Sequence, residues 1–237
     1  MNFNQQEGQF FLDHTETSAE VQSAFITKVF LWMFVALAVT GFTAFSVSTN
    51  ISWMEAIYQT PLRWLVMLAP LALVFIIGNR LERMDPVMTT VLFFAFAVLM
   101  GVSMSYIFVV YTAASIYSTF FICSGTFGVM AAIGYFTKRD LSKMGSYLFM
   151  ALIGLILVSV VNWFLQSPMV YWISSGVGIL IFTGLTIYDT NRLKQLASMT
   201  AGDEDRSQKW AIYGALSLYL NFINLFIYLL RFFGSRD

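Results

Sequence analysis

Residues 210 to 231 read WAIYGALSLYLNFINLFIYLLR. At about 1.5 Å per residue, the stretch is long enough to cross the roughly 30 Å hydrocarbon core of a bilayer as one helix. It is not uniformly apolar. Gly214, Ser217, Asn221, Asn224 and Tyr228 recur at spacings of three, four, three and four, which places them on one helical face. Hydrocarbon offers no hydrogen-bond partner, so a face carrying two carboxamides must point at protein or at water held inside it. The stretch is therefore expected to be the inner helix of a bundle, with Ser217, Asn224 and Tyr228 on its polar, pore-facing stripe beside Asn221. Two readings of the asparagines stay open here: hydrogen-bonding glue between helices, or the lining of a functional cavity.

Composition agrees with a membrane setting. Of 237 residues, 58% are hydrophobic and 11% charged, against about 25% charged in soluble domains. A formal net charge of zero gives no basis for a nucleic-acid partner. The one cysteine, Cys123, excludes a disulfide within the chain, and the one histidine, His14, lies in the N-terminal stretch. An intramembrane zinc site or serine-histidine pair therefore lacks its imidazole.

Working back from the last stretch, hydrophobic segments fall at about residues 28 to 48, 62 to 79, 87 to 111, 115 to 136, 145 to 166 and 169 to 190. With the last, that makes seven spans in one bundle, an all-α seven-transmembrane domain over residues 22 to 237. Residues 1 to 21 read as a polar cytosolic tail, with no basic start followed by an apolar core and hence no cleavable signal peptide. Ten of the 13 Lys and Arg fall on the N-terminal tail and the even-numbered loops. That asymmetry predicts a cytoplasmic N-terminus and an outside C-terminus. Small residues at four-residue spacing, Ala97, Gly101 and Ser105, Ser124 and Gly128, and Ser174 and Gly178, predict close helix contacts.

Acidic residues are scarce in the spans, and Asp189 is the one to explain. It ends the sixth segment, with Thr186 one turn before it and Arg192 and Lys194 just beyond. It reads either as an interfacial carboxylate paired with Arg192 or as a functional acid; its late position, where the helix macrodipole disfavours negative charge, favours the second. Arg80 reaches the same level from the end of the second segment, as a counter-ion for Asp189 or as a snorkelling anchor. No second Asp lies in a span and no phosphate-cradling loop occurs, so the chain is expected not to be an enzyme and to hold no tightly bound cofactor.

The motifs IYDTNRLK (187 to 194) and YGALSLYLNFINLFIYLLRFFG (213 to 234), with KRDLS at 138 to 142, resemble the Bax inhibitor family, also called transmembrane Bax inhibitor motif proteins, and its bacterial branch. The resemblance implies six helices around a central seventh, a bacterial inner-membrane location and a pH-sensitive calcium leak. In similar proteins two aspartates of the sixth and seventh helices face each other and share protons, and an arginine of the second helix latches them. The first aspartate matches Asp189 and the arginine matches Arg80. The second falls on Asn221, a departure.

Two facing carboxylates make a proton sensor, whereas Asn221 has the shape of a protonated aspartate and cannot ionise. Asp189 is thus expected to titrate alone as ion gate and proton sensor, with a weakened pH response and only weak, transient calcium binding. A ruler count from Trp172 and Arg231 sets Asp189 about 10 Å deeper than Asn221, so their contact rests on the resemblance. The expected function is a cation leak with calcium as permeant ion and protons as regulator. The rival, from bacterial relatives, is a non-transporting regulator whose partner is a membrane protease.

Overall fold

In the computed structural model, residues 3–235 are described, with side chains from residue 19 onward; His14, Arg236 and the side chains of most of the expected tail lie outside the described residues. From Phe3 the backbone of that tail continues the first span as helix. Nine α-helices occur among the described residues: α1 (Phe3–Ser48), α2 (Ile51–Tyr58), α3 (Leu62–Arg80), α4 (Pro86–Met104), α5 (Ile107–Val110), α6 (Ala113–Phe136), α7 (Ser142–Leu165), α8 (Pro168–Thr200) and α9 (Glu204–Phe233). Seven stretches of them are long and apolar enough to cross a membrane, and these match the seven expected segments.

Local chemistry sets the ends. Asp203 caps α9 by accepting the Arg206 amide at 2.9 Å, and Glu204 and Asp205 sit in its first turn, where the macrodipole favours negative charge. Gly202, at φ +86°, takes the left-handed turn that lets α9 fold straight back along α8. Gln166 closes α7 in the same left-handed region, and Pro168 opens α8 at its first turn. The third span is not continuous: it divides at Ser105–Tyr106 into α4 and α5. The Tyr58 hydroxyl enters that break, 2.9 Å from Val102 O, which also accepts from the Ser105 amide and hydroxyl, and 3.1 Å from Ser103 O, so the Ser103 carbonyl faces a donor rather than lipid.

Helix α9 is the centre. Of its span, 56% is buried inside the protein, against 39% for α8 and 6% for α7. It packs on α8, α1, α6 and α4, and a fully buried chain of hydroxyls ties it to two of them. Tyr219 on α9 lies 2.7 Å from Thr40 Oγ1 of α1, which itself donates to Ala97 O of α4 at 2.9 Å. The enclosure is uneven. Helix α7 packs chiefly on α8, and α3 packs on α4 and barely touches α9. The α3 and α7 sides are joined at one end by Trp64 and Trp163, with ring centroids 6.5 Å apart. Between them lies a cleft.

The small-residue pairs divide. A Cβ on Gly101 would lie 2.7 Å from Thr40 O, and one on Gly178 would lie 2.6 Å from the Tyr228 ring, so both mark close contacts. Gly128 is exposed and has no such neighbour, and Ser124 is half-buried, so that pair marks no close approach of backbones.

Candidate functional site

Asp189 projects from α8 into the cleft between α3 and α7, a cavity of about 970 Å³. Its Oδ2 accepts two hydrogen bonds from α9, from Ser217 Oγ at 2.8 Å and from Asn221 Nδ2 at 2.7 Å. No Lys or Arg lies within ion-pair distance of it among the described residues. The carboxylate is thus held by two neutral donors, both on Oδ2, and lines the cavity. An ionised aspartate at position 221 could not donate; the carboxamide can, and that fixes which atoms meet.

The 10 Å offset from the ruler count is corrected. A Cβ on Gly178 would lie 2.6 Å from the Tyr228 ring and one on Gly214 would lie 2.7 Å from the Leu193 side chain, so these close pairs, rather than Trp172 and Arg231, set the register of α8 against α9. Counted from Gly178 and Tyr228, Asp189 and Asn221 differ by about 6 Å along the axis. Side chains tilt toward the N-terminus of their own helix, and in an antiparallel pair those tilts point at each other, which closes the remainder. The macrodipole argument also lapses, because α8 runs on for eleven residues past Asp189 to Thr200.

The remaining expected residues separate. Ser217, Asn221, Asn224 and Tyr228 all line the cavity with Asp189. Asn224 donates to Leu220 O at 2.8 Å, and its carbonyl oxygen meets no donor among the described residues. Tyr228 closes the far end, stacked on Phe182 with centroids 5.7 Å apart, and the Arg231 guanidinium sits 5.2 Å from its ring. Gly214 belongs to the stripe only by spacing: it packs against Leu193 and Val29, outside the lining. Thr186 is fully buried and donates to Phe182 O at 2.8 Å, one turn from Asp189 but also outside the lining. Arg80 is exposed at the end of α3 and does not line the cavity; the arginine that does is Arg192.

The motif IYDTNRLK distributes its side chains among three neighbours. Asp189 serves α9 and Arg192 the cavity. Asn191 and Lys194 turn to the end of α6, whose last carbonyls have no partner within their own helix. Asn191 Nδ2 donates to Gly134 O at 3.2 Å and Thr137 O at 2.8 Å, and Lys194 Nζ to Tyr135 O at 2.9 Å and Thr137 O at 2.6 Å. A carboxamide and an ammonium from α8 thereby cap α6. Sequence reasoning missed both, placing Lys194 only as a cation just beyond Asp189; the available signal was their three-residue spacing, which gives them a face away from Asp189.

The fold and site define a seven-span membrane protein in which, among the described residues, one carboxylate faces the internal cleft and is bonded to a carboxamide. The model of the family described as "Inhibitor of apoptosis-promoting Bax1" matches residues 22–237, and the chain belongs to that family. It is 42% identical over 214 residues to "Inner membrane protein YbhL" of Escherichia coli (strain K12), covering 90% of this chain and 92% of that one. An uncharacterized protein of Rickettsia prowazekii is 42% identical over 212 residues, 90% of this chain and 89% of the other. One from Borreliella burgdorferi is 39% identical over 228 residues, 95% and 98% of the two chains.

Proposed function

We propose that the chain is a cation leak of the bacterial inner membrane, passing calcium under the control of protons, with its N-terminus in the cytoplasm. The observation that carries this reading is the Asp189 carboxylate, held by Ser217 and Asn221 in a cavity large enough for a hydrated ion. A cation entering the cavity meets the Asp189 carboxylate, then the Asn224 carbonyl oxygen and the Tyr228 hydroxyl, so water ligands are exchanged for protein oxygens one at a time.

Calcium takes about six to eight oxygen ligands when it stays. No group of three or more acidic, His or Cys side chains that could hold a metal exists among the described residues. One carboxylate with neutral oxygens suits a passing ion. The inner-membrane location leans on the printed name of the Escherichia coli relative.

The test is reconstitution. Purified protein in vesicles loaded with a calcium-sensitive dye is expected to admit calcium faster than empty vesicles, with a rate that depends on pH through one titrating group. Vesicles indistinguishable from empty ones, together with a membrane protease that co-purifies in fixed ratio, would overturn the leak and favour the regulator.

A further inference from the structure

The Asp189 cavity has a neighbour. A small pocket of about 40 Å³, room for roughly one water, lies at the α6–α7 loop and is lined by Asp140, Ser142, Asn191 and Gln195. Tyr188 and Arg192 line this pocket and the large cavity alike. They are the wall between the two. On one side of the wall stands Asp140, its Oδ1 fixed by Ser142 N at 2.9 Å and Ser142 Oγ at 2.6 Å. On the other stands Asp189.

Each partition residue is placed differently. Tyr188 packs on α7: its ring rests directly on the backbone at Gly145, where any larger residue would displace it. Arg192 is exposed and makes no ion pair among the described residues. Its long side chain is the movable part of the wall. Arg80, exposed at the end of α3, lines neither pocket.

We infer that Arg192 is the gate charge of this protein: its guanidinium occupies the neck between the loop-side carboxylate Asp140 and the inner carboxylate Asp189, and a cation passes by displacing it. The inference rests on the cavity being a cation path. It assigns the control of entry to α8 itself, with Asp140 lining the pocket on one side of Arg192 and Asp189 lining the cavity on the other. A permanent positive charge between the two pockets slows cations specifically, which separates its role from that of a merely bulky plug.

Silver ion, a small cation that reacts with thiols, reads this directly. The reporter is Asn224→Cys in a Cys123→Ala background, so that the cavity carries the only thiol. With silver added on the loop side, Arg192→Gln is expected to raise the modification rate about tenfold. Arg192→Lys, which keeps the charge, and Arg80→Gln are expected to leave it within about twofold. An unchanged rate in Arg192→Gln, or an equal rise in Arg192→Lys, would overturn the gate assignment. Because no calcium flux is measured, a leak that fails in vesicles while the silver pattern holds removes the proposed function and leaves the gate. A leak that succeeds without the silver pattern does the reverse.

Discussion

The cap that α8 places on α6 yields the most quantitative expectation. Asn191 is buried and spends both amide hydrogens on α6 carbonyls; Lys194 makes two charge-assisted bonds to the same turn. Asn191→Leu removes two neutral hydrogen bonds and strands Gly134 O in an apolar setting, a loss of about 2 to 3 kcal/mol. Lys194→Met removes two charged bonds, but partial exposure lets water replace them, which holds the loss to about 1 to 2 kcal/mol. Thr137 O is shared, so either single change leaves it one donor and the double change leaves none. The double variant is expected to lose about 1 kcal/mol more than the sum. Unfolding in mixed micelles measured for all four proteins gives the cycle, and amide exchange over residues 130 to 137 locates it. Single losses below about 0.5 kcal/mol, or strict additivity, would refute the capping role.

Three further outcomes follow from other contacts. Thr40→Val strands the fully buried Tyr219 hydroxyl and is expected to cost about 1 to 3 kcal/mol in the same assay, more than Tyr219→Phe, which leaves Thr40 its bond to Ala97 O; the opposite order would contradict the chain of hydroxyls. The Asp140 carboxyl is held below its usual range by the Ser142 side-chain and backbone hydrogen bonds. A depressed folded value means that its contribution is present above the unfolded carboxylate range and lost as pH falls through the folded value. Amides of residues 142 to 145 should therefore lose protection on acidification in the parent, after correction for intrinsic exchange, and show no such step in Asp140→Asn. Asn221→Asp sets a second carboxylate within hydrogen-bond distance of Asp189, so the pair must share a proton; calcium entry should acquire a steeper pH dependence, and an unchanged curve would discredit the paired site.

Much of this was legible in the residues. Seven apolar runs fixed the spans, and the three-and-four spacing of Ser217, Asn221, Asn224 and Tyr228 marked the face that lines the cavity. What failed was axial position. The sixth segment was ended near residue 190 because polar residues begin there, yet α8 continues to Thr200: Asn191 and Lys194 bond to protein carbonyls, which lets a polar run stay inside the bundle. That early end produced the macrodipole argument, whereas the misplaced depth of Asp189 came from taking Trp172 and Arg231 as the marks of equal height. Arg80 was singled out by its place in the chain, but charge order along a sequence carries no information on which side of α3 the guanidinium leaves. The cleft itself was invisible, since it depends on α3 and α7 failing to meet, a property of packing that neither helix shows alone.

Calcium entry into vesicles holding the parent or Asp189→Asn, at equal protein density and matched fold, bears most directly on the whole reading. The substitution keeps the shape and removes the one intramembrane carboxylate facing the cleft among the described residues. Entry should drop at least about tenfold and its remaining rate should no longer follow pH. Equal entry in the two proteins, with the same pH dependence, would show that the ion does not pass Asp189.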